Sequence, residues 1–261
     1  MRAGLGQVAV VTRATLALAP AADHVHRHLL GYSDLATMLA DQRLLARDGR
    51  FAAVQGPCSP TPGAGGRSGW SPSPTATRWT TCSPACPDER ERAQVVPMPQ
   101  LDHLDRLAQL ERALRGNGQW RLPHPWLSTF VGDGRGEDVV AAEPDRLVPS
   151  DPGPFGQVTV SAVDRGAITA PLLRLPDGEL CFAVDLVRIP ATAEGADRLV
   201  TDNRAAYERV RAAGGTLYPP SALPMSRADW REHFGPAFAG LGAAKRQHDP
   251  ACVLTPGYEV F

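Results

Sequence analysis

Between residues 57 and 87 the chain reads PCSPTPGAGGRSGWSPSPTATRWTTCSPACP, with no Val, Ile, Leu, Phe or Met. Seven of these residues are Pro and three are Cys. Such a stretch buries too little apolar surface to offset the entropy of ordering, so a loop or disordered insert is expected. A structureless insert of that length is unusual within a compact domain. The mixture across 57–94 is also what an out-of-frame reading of GC-rich DNA tends to yield, which suggests two compensating frameshifts, or a sequencing error, replacing a strand hairpin. That idea fails if neither other frame encodes an apolar, strand-like stretch.

Outside the insert, strand and helix patterns interleave. Residues 7–18, QVAVVTRATLAL, read as one strand or two short ones, ended by Pro20. HVHRHLL at 24–30 reads as extended. YSDLATMLADQRLLARDG is an amphipathic helix, with Leu35, Met38, Leu39 and Leu45 near helical spacing. Ser33 or Asp34 is its expected N-cap and Gly49 its stop. RFAAVQG is a short strand. Leu101, Leu104, Leu107, Ala108, Leu110 and Leu114 mark a helix that closes near Gly116 and Gly118. PHPWLSTF enters a strand, and 136–145 is helical until Pro144. FGQVTVSAV and LCFAVDLVRI are strands, the second apolar on both faces and therefore central. A helix follows with Leu199, Ala206, Tyr207 and Val210 inward and Gly214 as its stop. TLYP is a short strand. The segment from Ser226 is helical in two pieces, the second starting at Pro236. No βαβ rhythm and no repeat appear. The expected class is α+β, an antiparallel sheet flanked by helices.

An apolar fraction of 43% over 261 residues is enough for a real core. The formal net charge is −1, without the basic excess of a nucleic-acid binder. No apolar run reaches the ~18 residues of a membrane helix. Gln7, Thr12 and Arg13 interrupt the N-terminal apolar run, so no export signal is read and a cytoplasmic location is expected. Five cysteines without such a signal do not suggest a disulfide framework.

Few stretches suggest chemistry. His24, His26 and His28 have period two and would share one face of a strand. Three imidazoles there could bind zinc, but no nearby acid or Cys stands out as a fourth ligand. Cys82 and Cys86 lack a second pair, so no metal is expected. GLGQVA and GDGRGEDV do not complete a dinucleotide-binding fingerprint. In PHPWLS, Pro123 and Pro125 stiffen the backbone around His124 and place Trp126 rigidly. That suits stacking on a flat ligand, and a core tryptophan fits the same stretch equally well. GGTLYPP holds Tyr218 in a similar frame. The chain ends on HDPACVLTPGYEVF, a turn with apolar residues on both sides. It reads as a hook buried against the core or lying against a large apolar ligand.

Taken in order, these stretches resemble the cytokinin dehydrogenase family of FAD-linked oxidases. GLGQVAVVTRATLALAPA is similar to the end of that family's flavin-binding domain. VHRHLLGYSDLATMLADQRLL is similar to the first strand and helix of its substrate domain. LDHLDRL…LERALRGNGQWRLPHPWLSTFV is the most specific match, and the strands at 155–190 and the closing segment from Gly214 follow in order. The resemblance implies three parts. Residues 1–20 end the FAD domain, 21–222 form the substrate domain with an irregular segment at 57–94, and 223–261 form C-terminal helices and a hook returning to the FAD domain.

It further implies FAD as cofactor and a small planar aromatic substrate, an N6-substituted adenine. The CH–NH bond would be oxidised, and the resulting imine hydrolysed to adenine and an aldehyde. Related alcohol or sugar oxidation, or an inactive fragment or binding module, are the alternatives. The implied substrate-binding residues are Trp126, Ser128, where the family more often has Asn, and Glu111, where the family has an acidic pair. The implied cofactor-binding residues are Tyr218, Gly257 and Tyr258, the last standing where Gln is usual. The pyrophosphate loop, a His able to bond to the flavin, and the proton-accepting Asp are expected N-terminal to residue 1. No catalytic residue is therefore assigned within the chain, which alone is expected to hold FAD poorly and to be inactive.

Overall fold

The computed structural model describes residues 2–261 except 19, 33, 50, 63–67, 73–75, 81–93, 147–152, 154, 155 and 191. Side chains are described outside 59–93, 135–137, 144 and 145. The elements run β1 (His24–Leu30), α1 (Leu35–Asp48), β2 (Ala53–Pro62), β3 (Ser68–Pro72), β4 (Ala76–Thr80), β5 (Gln94–Pro99), α2 (Gln100–Leu104) and α3 (Ala108–Gly116). There follow β6 (Leu127–Gly132), α4 (Arg135–Arg146), β7 (Gln157–Asp164), β8 (Leu180–Val187), α5 (Ala193–Ala212), β9 (Thr216–Leu217), α6 (Arg227–Phe234) and α7 (Ala237–His248). The strands form one sheet in the order β5-β1-β4-β2-β7-β8-β6-β9, with β3 paired to β2. Every strand pairing among the described residues is antiparallel. The α+β expectation holds.

One face of the sheet carries the core. Leu127, Thr129 and Val131 on β6, Val184 and Leu186 on β8, and Val158 and Val160 on β7 are buried. α1 packs on β7 and β2, and α4 and α5 pack on β6. Asp34 caps α1 by accepting from the Thr37 N–H at 2.7 Å, and Gly49 ends it at φ 70°. Both follow the sequence reading. β8, buried on both faces over its first half, lies between β7 and β6, as its doubly apolar sequence predicts.

β2 joins the two halves of the sheet. Ala53–Gln55 pair with β4, and Gly56–Cys58 pair with β7. At the crossover, the Gln42 side chain of α1 takes the ladder positions that β2 leaves. Its Nε2 donates to Val160 O at 2.8 Å and its Oε1 accepts from the Ala162 N–H at 2.7 Å. Gly56 is required here because a Cβ would lie 2.7 Å from both Met38 Sδ and Val160 O.

Several expectations are corrected. Residues 9–18 form no strand, and Val10, Val11, Leu16 and Leu18 are exposed. A strand pattern forms a strand only where a neighbour receives its hydrogen bonds, and no described strand lies beside this one. Within 57–87, where composition predicts a loop, the described pieces pair as β2, β3 and β4; the remainder lies outside the described residues. Backbone ladders need no apolar side chains, and Thr and Trp favour extended backbone. The helix expected from Leu101 breaks at Asp105 into α2 and α3, and Leu101, Leu104 and Leu107 are exposed while Leu114 is buried. α4 continues through position 144 to Arg146. No helix among the described residues is long and apolar enough to cross a membrane.

Candidate active site

The PHPW stretch folds into a braced aromatic platform. The Pro125 carbonyl accepts from Asn203 Nδ2 of α5 at 3.2 Å, in a fully buried contact. The His124 ring stacks on Trp126 with centroids 6.0 Å apart and an interplanar angle of 11°. His124 Nε2 lies 3.1 Å from Gln119 O, so that nitrogen carries the proton. The Trp126 indole N–H donates to Arg188 O at 3.0 Å, and Trp126 O accepts from the Ala222 N–H at 2.8 Å. Trp126 is still 43% exposed, so it is not a core tryptophan.

From Trp126 onward, alternate residues point to the sheet face that the core helices leave open. Ser128 and Phe130 are half-buried there, between the buried Leu127, Thr129 and Val131. Tyr218 packs edge-on against Phe130 at 6.1 Å and is 41% exposed. Its N–H donates to Ser128 O at 2.9 Å, and the Ser128 N–H donates to Ser221 Oγ at 2.9 Å. Trp126, Ser128 and Tyr218, separated in sequence, are thus brought together. Opposite Ser128 in the ladder stands Asp185, and opposite Asp185 stands Thr159. Thr159 Oγ1 donates to Asp185 Oδ2 at 3.1 Å, giving a polar row across the open face. Beside that row is a cavity of about 240 Å³, lined by Arg27, Gln55, Pro57, Gln157 and Thr159 of the sheet and by Arg106 and Leu107 of the α2–α3 connection.

Glu111 sits on α3, bound to Arg115 Nε at 2.7 Å with both side chains half-exposed. The Arg115 guanidinium lies 4.5 Å from the Trp120 ring centroid, and Trp120 meets His124 edge-on at 6.5 Å. Glu111 therefore reaches Trp126 only through Arg115, Trp120 and His124, and its carboxylate already has a cationic partner.

Gly257 and Tyr258 lie elsewhere, on the C-terminal turn, and no described contact joins them to Trp126 or Tyr218. Tyr258 packs edge-on against Trp230 at 6.0 Å, and its carbonyl accepts from Trp230 Nε1 at 2.7 Å. Phe261 stacks on Phe238 at 5.3 Å and Val260 is buried, so the hook packs on α6 and α7. All five non-glycine residues with positive φ among those described lie at the two chain ends: Ala3, Leu5, Cys252, Thr255 and Glu259. Each costs about 1–2 kcal/mol, and such strain persists only where neighbours impose it. Buried Lys245 does so. Its Nζ donates to Asp249 Oδ2, Gln7 O and Leu254 O at 2.6, 2.9 and 3.1 Å. A cavity of about 300 Å³ adjoins this clasp, lined by Gln7, Arg227, Lys245, Glu259 and Phe261 among others. Gly257 meets nothing within 4 Å of where a Cβ would stand, so a flat ring can approach its backbone. The Tyr258 ring, by contrast, packs inward on Trp230.

A polar groove of about 1100 Å³ lies at the far end of β8, lined by Asp164, Arg165, Arg174, Asp177 and Leu180 among others. Leu180 pairs with Asp164, whereas Trp126 precedes the Leu127–Leu186 pair, so groove and platform are roughly 20 Å apart along the strand. His24, His26 and His28 share a face of β1, and no metal-binding group of three or more ligands converges among the described residues. Cys82 and Cys86 lie outside the described residues. Burial pushes the Cys58 thiol up to about 12 and the Cys181 thiol to about 11. Asp185, Thr159 and Lys245 were not singled out from sequence. Asp185 had a signal, as the one charge inside the apolar run LCFAVDLV.

A family model described as cytokinin dehydrogenase 1, FAD and cytokinin binding, matches residues 91–261, more than half of the chain. The chain belongs to the cytokinin dehydrogenase family. That family is one of FAD-dependent oxidoreductases, and every residue of the platform falls within the matched segment. An uncharacterized oxidoreductase, ORF5 in the fasciation locus of Rhodococcoides fascians, is 31% identical over 270 residues, covering 100% of this chain and 60% of that protein. Cytokinin dehydrogenase 10 of Oryza sativa subsp. japonica is 28% identical over 305 residues, covering 99% of this chain and 55% of that protein. The chain thus spans a little over half the length of these relatives. Among solved structures, wild-type BBE-like 1 of Physcomitrella patens superposes with a TM-score of 0.52 at 11% identity, covering 89% of this chain and 53% of that one. At that identity the likeness is one of fold.

Proposed function

We propose that this chain supplies the substrate-holding part of an FAD-dependent oxidoreductase acting on the CH–NH bond of N6-substituted adenines. Residues 21–222 hold the substrate, 1–20 end the flavin domain, and 223–261 return to it. The carrying observation is the rigid, half-exposed Trp126 beside the Ser128 row. A flat base stacks on the indole, whose tilt is fixed by His124 on one side and Arg188 O on its edge. When bound, FAD supplies the hydride acceptor, with Tyr218 and the Gly257 backbone as the residues of this chain that would hold it. The chain's own residues bind and orient the base and, through the Arg106–Leu107 connection, cover it from water.

A second reading, oxidation of an alcohol or sugar by the same architecture, is favoured by Ser128 in place of Asn and by the Arg115 partner of Glu111. Titration of the chain with N6-isopentenyladenine, followed by tryptophan fluorescence, separates the two. Saturable quenching that Trp126→Leu abolishes, and that sugars and benzyl alcohol do not compete away, supports the adenine reading. Competition by an alcohol or sugar, or quenching unaltered by Trp126→Leu, overturns it.

A further inference from the structure

Arg27 and Arg106 come from distant parts of the chain and line one cavity of about 240 Å³. Arg27 is half-buried in the middle of β1, and Arg106 is exposed on the α2–α3 connection. That connection is held by its own backbone. The Asp105 N–H donates to Leu101 O at 2.9 Å, and Arg106 Nη1 donates to His103 O at 3.0 Å. Gln55 and Pro57 of β2, Gln157 and Thr159 of β7, and Leu107 complete the lining. No carboxylate is among the described residues that line it. The Thr159 hydroxyl donates to Asp185, so the donors lining the cavity are two guanidiniums and two carboxamides.

Like charges gathered in this way repel, and the groups around the cavity register it. Burial first, then the Arg106 charge, lower the pKa of Arg27. Burial, then the Arg106 and Arg27 charges, lower that of His103. An anion between the guanidiniums converts this repulsion into attraction. The cavity adjoins the aromatic platform without including it. Trp126 precedes Leu127, which pairs with Leu186, and Gln157 pairs with Val187, so Gln157 lies two strands across from Trp126. That is roughly 10 Å, near enough for a phosphate in the cavity to belong to a nucleoside stacked on Trp126.

We propose that this cavity is an anion site for a phosphomonoester dianion, held by Arg27 and Arg106 and oriented by the Gln55 and Gln157 amides. Two guanidiniums match two negative charges, and the amides hydrogen-bond the remaining oxygens. A simple carboxylate, with one charge and two oxygens, is held less well. The phosphate is either a free ion or the 5′-phosphate of a nucleotide. The site stands on its own residues, and only the nucleotide source rests on the platform reading.

The test is calorimetric titration of the full chain in low salt, at about pH 8, where the phosphate is a dianion. The probes are inorganic phosphate, acetate, adenosine and adenosine 5′-monophosphate. Phosphate should bind saturably and at least about tenfold more tightly than acetate, the scale of one charge-assisted hydrogen bond. Arg27→Gln and Arg106→Gln should each weaken phosphate by about tenfold or more, and added salt should weaken it further. Thermal unfolding checks each variant, and Arg106→Gln with Gln157→Leu carries the test if Arg27→Gln does not fold. Adenosine 5′-monophosphate binding more tightly than phosphate and adenosine, with the gain lost in Trp126→Leu, assigns the phosphate to a nucleotide on the platform. Equal binding of phosphate and the nucleotide assigns it to a free ion. If neither binds saturably, or both arginine variants bind as wild type does, the anion site is overturned. Trp126-dependent quenching by N6-isopentenyladenine would survive that result, which separates this failure from failure of the platform.

Discussion

Lys245 Nζ lies 2.9 Å from the backbone oxygen of Gln7, across 238 residues of sequence, while its Asp249 partner sits one helical turn away at 2.6 Å. The ammonium is buried and all three of its protons are donated. Its hydrogen bond, helped by those from the Leu254 and Val253 N–H groups, holds the Asp249 carboxyl below the usual carboxylate range. Asp249 in turn accepts from the Val253 and Leu254 N–H groups and shapes the turn that precedes Gly257. Removing one partner of a buried pair leaves the other charge uncompensated. Lys245→Met should therefore cost about 3–5 kcal/mol in urea unfolding. Lys245→Met with Asp249→Asn should recover part of that loss. A single variant as stable as wild type would show that the clasp is not a structural lock.

His233 links stability to acidity. It is buried between Trp230 and Phe234, with centroids 5.7 and 5.0 Å away. Burial, helped by the Arg174 charge, lowers its pKa to about 4 from an ordinary 6.5. The unfolded chain then binds a proton between these values that the folded chain refuses. Stability from this group is complete above about pH 6.5 and is lost as pH falls towards 4, by roughly 3 kcal/mol in all. In His233→Leu, unfolding free energies measured from pH 7 to 4 should lose that part of the slope. An unchanged slope would assign the acid sensitivity to other groups.

Arg115 is expected to compete with ligand for Glu111. An exposed i,i+4 pair contributes about 0.3–0.5 kcal/mol, and the guanidinium over Trp120 about 0.5–1 kcal/mol more. Arg115→Ala should therefore lower stability by no more than about 1.5 kcal/mol. It should raise affinity for N6-isopentenyladenine by freeing the Glu111 carboxylate. Calorimetry that finds equal or weaker binding would place Glu111 outside the ligand contacts.

Thiol chemistry should follow burial. In a chain carrying Cys82→Ser and Cys86→Ser, exposed Cys252 should react with a disulfide reagent within minutes. Cys58 and Cys181, buried with raised pKa values, should react only on unfolding. Fast reaction of more than one thiol in the native chain would contradict the burial of β2 and β8.

Where periodicity meets a partner, the sequence was legible. The core face of α1, the central place of β8, the inward stripe of α5 and the Ser226 cap of α6 all stand as read. Periodicity does not report whether a partner exists, so 9–18 read as strand and Leu101, Leu104 and Leu107 as one helix, and these apolar residues are exposed. Composition misjudged β3 and β4 because a ladder is built from backbone. At the site, HPWL was readable as a stiff aromatic placement. The parallel His124 ring, the Asp185–Thr159 row and the reach of Lys245 to Gln7 depend on contacts between distant segments that spacing does not encode.

The crossover at Gly56 has a bearing on the pocket beside Thr159. α2, which leads into the Arg106–Leu107 roof, rests on β1 and β5. The floor is shared among strands, with Gln157 and Thr159 on β7, Gln55 and Pro57 on β2, and Arg27 on β1. The roof and Arg27 thus ride with the β1 side and Thr159 with the β7 side, and β2 alone links the two in the sheet order. A few degrees of flexing where Gly56 passes between them would widen or narrow the chamber between Arg27 and Thr159 without melting either side, making one side-chain-free position its hinge pin.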